Sequence, residues 1–206
     1  MARLARGGPV HVVDDRLLAG VGTLGHPARI VCIFATAALP ARASTESDSA
    51  DSLGVHLHRV IDPGNVGTVV RACGALGPAW LSLSPGCSDP LSGKGVRASM
   101  GAVFRVPVEP AAELEEAGTR VALVAGAETP LWAVDLTQPS VLVVGAERHG
   151  LPAAVVEACD VVCGIPQAEG AESVNAAQAA TIALYEAARQ RGTGVRPRAE
   201  TADTRR

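Results

Sequence analysis

Three stretches of this sequence carry side chains whose types and spacing suit chemistry. In the first, DPGNVGTVVR, Asn65 and Arg71 follow a Pro-Gly pair at the point where an apolar run gives way to a helical pattern. Such a junction exposes backbone N–H groups and the positive end of a helix dipole, which attract polar or anionic groups. Asn65 acts there either as a ligand contact or as an N-cap, and Arg71 is either an anion contact or an ordinary surface arginine. The second stretch, VLVVGAERHGLP from Val141 to Pro152, runs a buried strand into a loop bracketed by Gly145 and Gly150. Glycines at both ends permit close backbone approach or positive φ, so the loop holding Glu147 and His149 is either a ligand contact or a plain turn. The third, IPQAEGAESVN from Ile165 to Asn175, carries polar residues straight into the last helical pattern. Ser173 is the expected cap of that helix. Asn175 then falls in its first turn, where a structural asparagine is a poor choice, and this points to function.

The elements that must position these residues follow from periodicity. Val55–Ile61 and Ala79–Leu83 read as strands flanking a helix from Asn65 to Leu76, a βαβ unit. Val121–Ala125, Val141–Gly145 and Val161–Ile165 add three more strands, and the Ala-rich Ser173–Arg191 reads as a long final helix. Before them, Val10–Val13 and Ile30–Phe34 are apolar stretches separated by helical spacing at Leu17, Leu18 and Val21. The intervening Ala35–Ser52 is rich in Ala, Ser, Thr, Pro and Asp and reads as a linker or long loop.

A chain of 206 residues suits one α/β core with a short appendage. With 48% hydrophobic but only 2% aromatic residues, the interior must be built from Val, Leu, Ile and Ala, as tightly packed parallel strands and helices are. Five cysteines, an odd number without a CxxC pair, indicate neither a disulfide framework nor a zinc site, and Cys159 and Cys163 are expected to pack in the core. A reduced, cytoplasmic protein is expected. No apolar run nears the roughly 20 residues a bilayer crossing needs, and the N-terminus lacks a signal-peptide core. A net charge of −3 excludes nucleic-acid binding by bulk electrostatics alone, so local patches must act. The basic end, with Arg189, Arg191, Arg196, Arg198, Arg205 and Arg206, is one such patch or simply a solvated tail.

Taken together, NVGTVVRACGALG, VLVVGAERHGLP and IPQAEGAESVNAAQAATIALYE resemble the three ordered motifs of the SpoU/TrmH branch of the SPOUT methyltransferases, over roughly Val55 to Arg191. The stretch DPLSGKGVRASMGA from Asp89 to Ala102 also resembles the part of that family preceding its third strand. The resemblance implies an α/β fold, a mostly parallel sheet flanked by helices, closed by a C-terminal deep trefoil knot, a rare exception to unknotted connectivity. It implies a homodimer, S-adenosylmethionine as cofactor, no metal, and RNA as partner, with rRNA ahead of tRNA. Carried over by motif, Val144, Gly145, Ala146, Glu147, Gly150, Ile165, Gln167, Ser173, Val174 and Asn175 would contact the cofactor. Arg71, Asn65, Glu147, Ser173 and Asn175 would make up the catalytic set. The implied domains are a remnant or connector of an RNA-binding region over 1–52, the methyltransferase domain over 53–192 and a basic tail over 193–206. This chain departs from the family at Val174 and Ala176, and its first 50 residues are too short for a full RNA-binding domain.

The implied chemistry is methyl transfer to a ribose 2′-hydroxyl, an in-line displacement from a sulfonium in which positioning supplies much of the rate. A guanidinium stays protonated in proteins. Arg71 therefore acts either as the family's assigned base or as a charge that stabilises developing alkoxide while a phosphate or Glu147 takes the proton. Ser173 and Asn175 orient these groups. Two other classes compete: a methyltransferase of a small molecule or peptide, and a non-catalytic cofactor-binding dimer. A steep salt dependence of RNA binding distinguishes the RNA enzyme from both.

Overall fold

A computed structural model describes residues 10–21, 30–42, 52–77, 79–114, 118–170 and 173–192. The chain divides into two compact units, one ending at Ala38 and one beginning at Leu39. In the first, the spacing of Leu17, Leu18 and Val21 does give a helix, α1 (Asp15–Val21), with Asp14 accepting the Leu17 amide at 2.8 Å. It buries none of its residues.

The second unit is an α/β layer structure around a six-stranded sheet of β1 (Leu53–His58), β2 (Ala79–Leu83), β3 (Val108–Glu109), β4 (Thr119–Leu123), β5 (Ser140–Gly145) and β6 (Val161–Cys163). Every pairing is parallel, in the order β3-β2-β1-β5-β4-β6. The five expected strands are present within a few residues of their read bounds. The two-residue β3 carries too short a pattern to be seen in sequence.

Strands buried on both faces need cover on both, and period-2 alternation divides them. Leu53, Val55, Leu57, Leu81, Leu142 and Val144 pack against the two long helices, α2 (Pro63–Leu76) and α5 (Ala176–Gln190). These helices contribute Val66, Val69, Val70 and Cys73 from one, and Ala180, Ala183, Leu184 and Ala187 from the other. Burial pushes the Cys73 thiol up to about 12, so it packs as an apolar group. On the opposite face Trp80, Val141 and Val143 form a smaller cluster with Leu114, Leu151, Val155 and Cys159, partly under the short α4 (Ala153–Glu157). A further short helix, α3 (Gly93–Ser99), packs on α2.

Residues 39–42, inside the stretch read as a linker, belong to this unit. The Arg42 side chain is almost wholly buried, 3.7 Å over the Trp80 ring, with Glu109 at 3.9 Å. Of the basic chain end, Arg189 pairs with Glu186 and Arg191 donates to backbone carbonyls, while 193–206 lie outside the described residues. Leu184 of the last helix is 1% exposed and faces the core, while Ile182 and Tyr185 lie on its outer side. Among the described residues no helix is long and apolar enough to cross a membrane.

Candidate functional site

The strand order creates one point where successive connections diverge. From β1 the chain moves through α2 to β2 on one side; from β5 it moves through α4 past β4 to β6 on the other. The carboxyl ends of β1 and β5 therefore flank a crevice, which is where open α/β sheets bind ligands. His58 is paired in register with Gly145, so the loops that leave these two strands start side by side.

The β1 loop enters α2 through Asp62, whose Oδ1 accepts from the amides of Gly64 at 2.6 Å and Asn65 at 3.2 Å, ahead of Pro63. Asp62, not Asn65, is thus the N-cap. The Lys94 ammonium, 2.8 Å from Asp62, together with those two amides holds the Asp62 carboxyl below its ordinary range. Freed from capping, the half-buried Asn65 points its amide into the crevice and donates to Glu147 Oε1 at 2.5 Å. Its Oδ1 accepts from Asn175 Nδ2 at 3.3 Å.

Asn175 is the N-cap of α5, its Oδ1 accepting from Ala177 at 2.9 Å and Gln178 at 3.3 Å. This corrects the expectation that Ser173 caps the helix and that Asn175 lies in its first turn. Ser173 lies exposed two residues earlier, and the helix begins at Ala176. Asn175 serves both purposes: one side-chain atom closes the helix end while the other reaches Asn65. The three motifs, more than 100 residues apart at their extremes, meet in a Glu147–Asn65–Asn175 chain.

The β5 loop closes tightly, with Gly150 N donating to Ala146 O at 2.8 Å. A Cβ on Gly145 would stand 2.2 Å from the Gly150 carbonyl carbon, and Gly150 itself has φ +61°, so both glycines are required by the turn. Val144 and Gly145 are buried, Ala146 and Glu147 half-buried, and Arg148 and His149 exposed. Beside it, the loop after β6 is tied to the loop after β4: Gly164 N donates to Thr129 O at 2.9 Å and Leu131 N to Gly164 O at 2.8 Å. Ile165 lines a recess of about 150 Å³ with Leu131, Trp132 and Pro166. Gln167 Oε1 is buried without a hydrogen-bond partner among the described residues. Such an atom costs on the order of 1–3 kcal/mol unless something supplies a donor.

Arg71 is not part of the hydrogen-bonded chain. It lies six residues along α2 from Asn65, about 9 Å by helical rise, exposed and without a hydrogen bond or ion pair among the described residues. Thr68, between the two on the same drifting stripe of α2, lines a concavity of about 420 Å³ with Val174, Ala177, Gln178, Thr181 and Ile182 of α5 and its lead-in. The reading of sequence missed Asp62 as cap, Lys94 as its partner, and the 124–132 loop. The DP ahead of a helical pattern signals the first; the loop after β4 carries no motif, and only its contacts with Gly164 reveal it. Among the described residues no group of three or more His, Cys, Asp or Glu side chains is placed to hold a metal ion.

The chain also resembles known proteins. A family model described as the SpoU rRNA Methylase family matches residues 52–185. The chain is similar to the 23S rRNA (uridine(2479)-2'-O)-methyltransferase of Streptomyces viridochromogenes, with 39% identity over 157 residues covering 70% of this chain and 55% of that protein. It is similar also to an uncharacterized tRNA/rRNA methyltransferase of Synechocystis sp., at 37% over 153 residues, 70% of this chain and 56% of the other. Among solved structures, the SpoU methyltransferase AviRb from Streptomyces viridochromogenes in complex with the cofactor AdoMet superposes with a TM-score of 0.68 and 35% identity, over 75% of this chain and 67% of that one. An AdoMet-bound rRNA methyltransferase from Sinorhizobium meliloti gives 0.65 and 36%, over 72% and 61%. The chain spans a little over half the length of these curated relatives.

Proposed function

The chain belongs to the SpoU rRNA Methylase family, and from that premise we propose that it methylates a ribose 2′-hydroxyl in RNA, rRNA before tRNA, using S-adenosylmethionine. The observation that carries this reading is the Glu147–Asn65–Asn175 chain across the crevice between β1 and β5. It fixes three polar side chains where a ligand would lie. Naming of the Streptomyces relative as a 2′-O-methyltransferase supports the choice of hydroxyl.

The residues present fit a nucleoside joined to an amino acid. The orphaned Gln167 Oε1 lacks a donor such as an amino or ammonium group, Ile165, Leu131 and Trp132 offer apolar walls, and the Gly145–Gly150 turn brings backbone close. Val144 to Glu147, Gly150, Ile165, Gln167 and Ser173 to Asn175 would hold it. When bound, S-adenosylmethionine supplies an activated methyl group.

The protein's own residues then have two tasks. Asn65, with both ends of its amide engaged, orients Glu147 and is itself held by Asn175, so the carboxylate is fixed before substrate arrives. Arg71, exposed on α2 and without a partner among the described residues, would offer its guanidinium to the 2′-oxygen or its flanking phosphate. In a transfer that exchanges the cofactor's S–CH3 bond for the new O–CH3 bond and releases a neutral thioether, the hydroxyl proton would pass to Glu147 or to a phosphate oxygen, and Arg71 would stabilise the developing negative charge.

The same reading includes a C-terminal trefoil knot and a homodimer. Hydrogen bonds from the 124–139 connection both to Gly164 after β6 and to Gln190 and Arg191 at the end of α5 support the knot. Exposed Trp132 (63%), Tyr185 (56%) and Ile182 (39%) support a partner on that side. We place the protein in the cytoplasm, where RNA and cofactor meet. Calorimetry with S-adenosylmethionine in the presence of a chelator should show binding, and RNA from cells with and without the gene should differ at one or a few 2′-O-methyl positions. A folded protein that binds no cofactor ends the enzyme reading.

A further inference from the structure

Resting on the reading of this edge as an RNA 2′-O-methylation site, we propose that Arg59 is a phosphate contact that seats the RNA strand beside the reacting ribose. Arg59 is the first residue past β1, so it leaves the sheet next to Ala146, the first residue past β5, because His58 and Gly145 are register partners. Its backbone therefore adjoins the loop that carries Glu147, at the same carboxyl edge of the sheet as the crevice.

Its backbone has φ +54°. Left-handed backbone crowds any side chain with a Cβ, and glycine, asparagine or aspartate would adopt it with less strain. The conformation is enforced by the neighbouring β2 loop. Buried Ser84 accepts the Arg59 amide on its Oγ at 3.0 Å, Ser84 N donates to Leu57 O at 3.0 Å, and Ser88 N donates to Val60 O at 3.0 Å. The arginine side chain leads out over the Pro85–Gly86 turn, its Cγ 3.7 Å from where a Gly86 Cβ would be.

Strained backbone held in place by its surroundings clusters at sites that grip a ligand. Arg59 is exposed, and its guanidinium makes no hydrogen bond or ion pair among the described residues. Its charge acts inward only in adding to burial, the larger effect, which holds His58 below its ordinary value against Glu113. A planar fork at the same edge as a site that must grip RNA matches a phosphate in geometry and charge. With a chain net charge of −3, such local cations must provide the grip.

The test pairs Arg59→Gly with Arg59→Lys. Glycine relaxes the backbone while deleting the charge, so the expected result separates stability from binding. Arg59→Gly should melt at or above the wild-type temperature and bind S-adenosylmethionine equally in calorimetry. Its affinity for total ribosomal RNA should fall about 10-fold, with the slope of log K against log salt reduced by about 1. Arg59→Lys should recover part of that affinity. Arg59→Gly binding RNA as tightly as wild type, or Arg59→Gly failing to fold, overturns the proposal while the methyltransferase reading stands. Wild-type protein that binds cofactor yet neither binds nor methylates ribosomal RNA removes the RNA reading, and the role of Arg59 with it.

Discussion

Because all six strands run the same way, the sheet has an amino edge and a carboxyl edge, and their polar groups are treated in opposite fashion. At the amino edge, Arg191 donates to the carbonyls of Leu136 at 2.7 Å, Gln138 at 2.6 Å and Ser52 at 3.3 Å. Gln190 exchanges hydrogen bonds with Leu136 N and Val134 O. Arg120 grips Asp160 through two nitrogens, both at 3.0 Å. At the carboxyl edge Arg59 has no such partner among the described residues, nor does the exposed Arg71 farther along α2, and Gln167 Oε1 is buried unpaired among the described residues. Arginine and glutamine are thus spent on internal partners at one edge and left available at the other. Polar groups that a fold leaves unsatisfied are those a ligand can satisfy. The two long helices express the same division: α5 starts at Asn175 in the crevice and ends at Arg191 under the opposite edge.

Exchanging the character of the two edges is the way to break this comparison, and the largest effect is expected at Arg71. Arg71→Ala should leave folding and cofactor affinity nearly unchanged while lowering turnover on RNA by roughly 100-fold or more, the scale of losing a charge-stabilising or proton-transfer group. Arg71→Lys sharpens it: partial rescue favours simple charge, and none favours bidentate positioning. An unfolded Arg71→Ala protein would put Arg71 with the structural arginines of the other edge.

Arg191→Ala probes the contrast from the other side. Three carbonyls lose a charged donor, and the end of α5 is no longer tied to the segment before β5, so a loss of about 1–3 kcal/mol is expected. Denaturant unfolding should show the shift in midpoint, and turnover per folded molecule should stay within about twofold of wild type, since nothing at the crevice is touched. A selective loss of turnover at unchanged stability would contradict the division of edges.

The sequence shows one edge better than the other. The crevice was legible because its residues cluster in three motifs, each at a strand end, and the parallel sheet was legible from runs of Val, Leu and Ile. What sequence could not show was which polar atom meets which. In the sequence Asn175 falls in a first turn, although a single asparagine there both caps α5 and reaches Asn65, a choice that depends on where the helix starts by three residues. Arg42 lies in a stretch whose composition reads as a linker, and only Trp80, nearly 40 residues on, gives it a place to pack. The amino edge carries no motif, because Gln190 and Arg191 fasten it through backbone groups, which every residue possesses. For that reason Arg191 reads in the sequence only as one arginine of the basic chain end.

The smallest effect expected at the amino edge concerns Asp160. The Arg120 side chain, with the Arg120 backbone amide at 2.9 Å, holds its carboxyl at about 2, against an ordinary value of 3.8. A depressed folded-state value means the folded protein binds this proton more weakly than the unfolded chain does. The stabilisation is therefore complete above about pH 4 and disappears as pH falls through about 2. Because the Asp160 side chain is 46% exposed, solvent screens the pair, and the contribution should be well below that of Arg191. Asp160→Asn should be slightly less stable than wild type at neutral pH, with the two stability curves converging between pH 4 and pH 2 and closing further in high salt. Methyl transfer at neutral pH should be indifferent to the change. A difference that grew on acidification, or a fall in turnover, would show that the amino edge is coupled to the crevice and not merely a fastening of the fold.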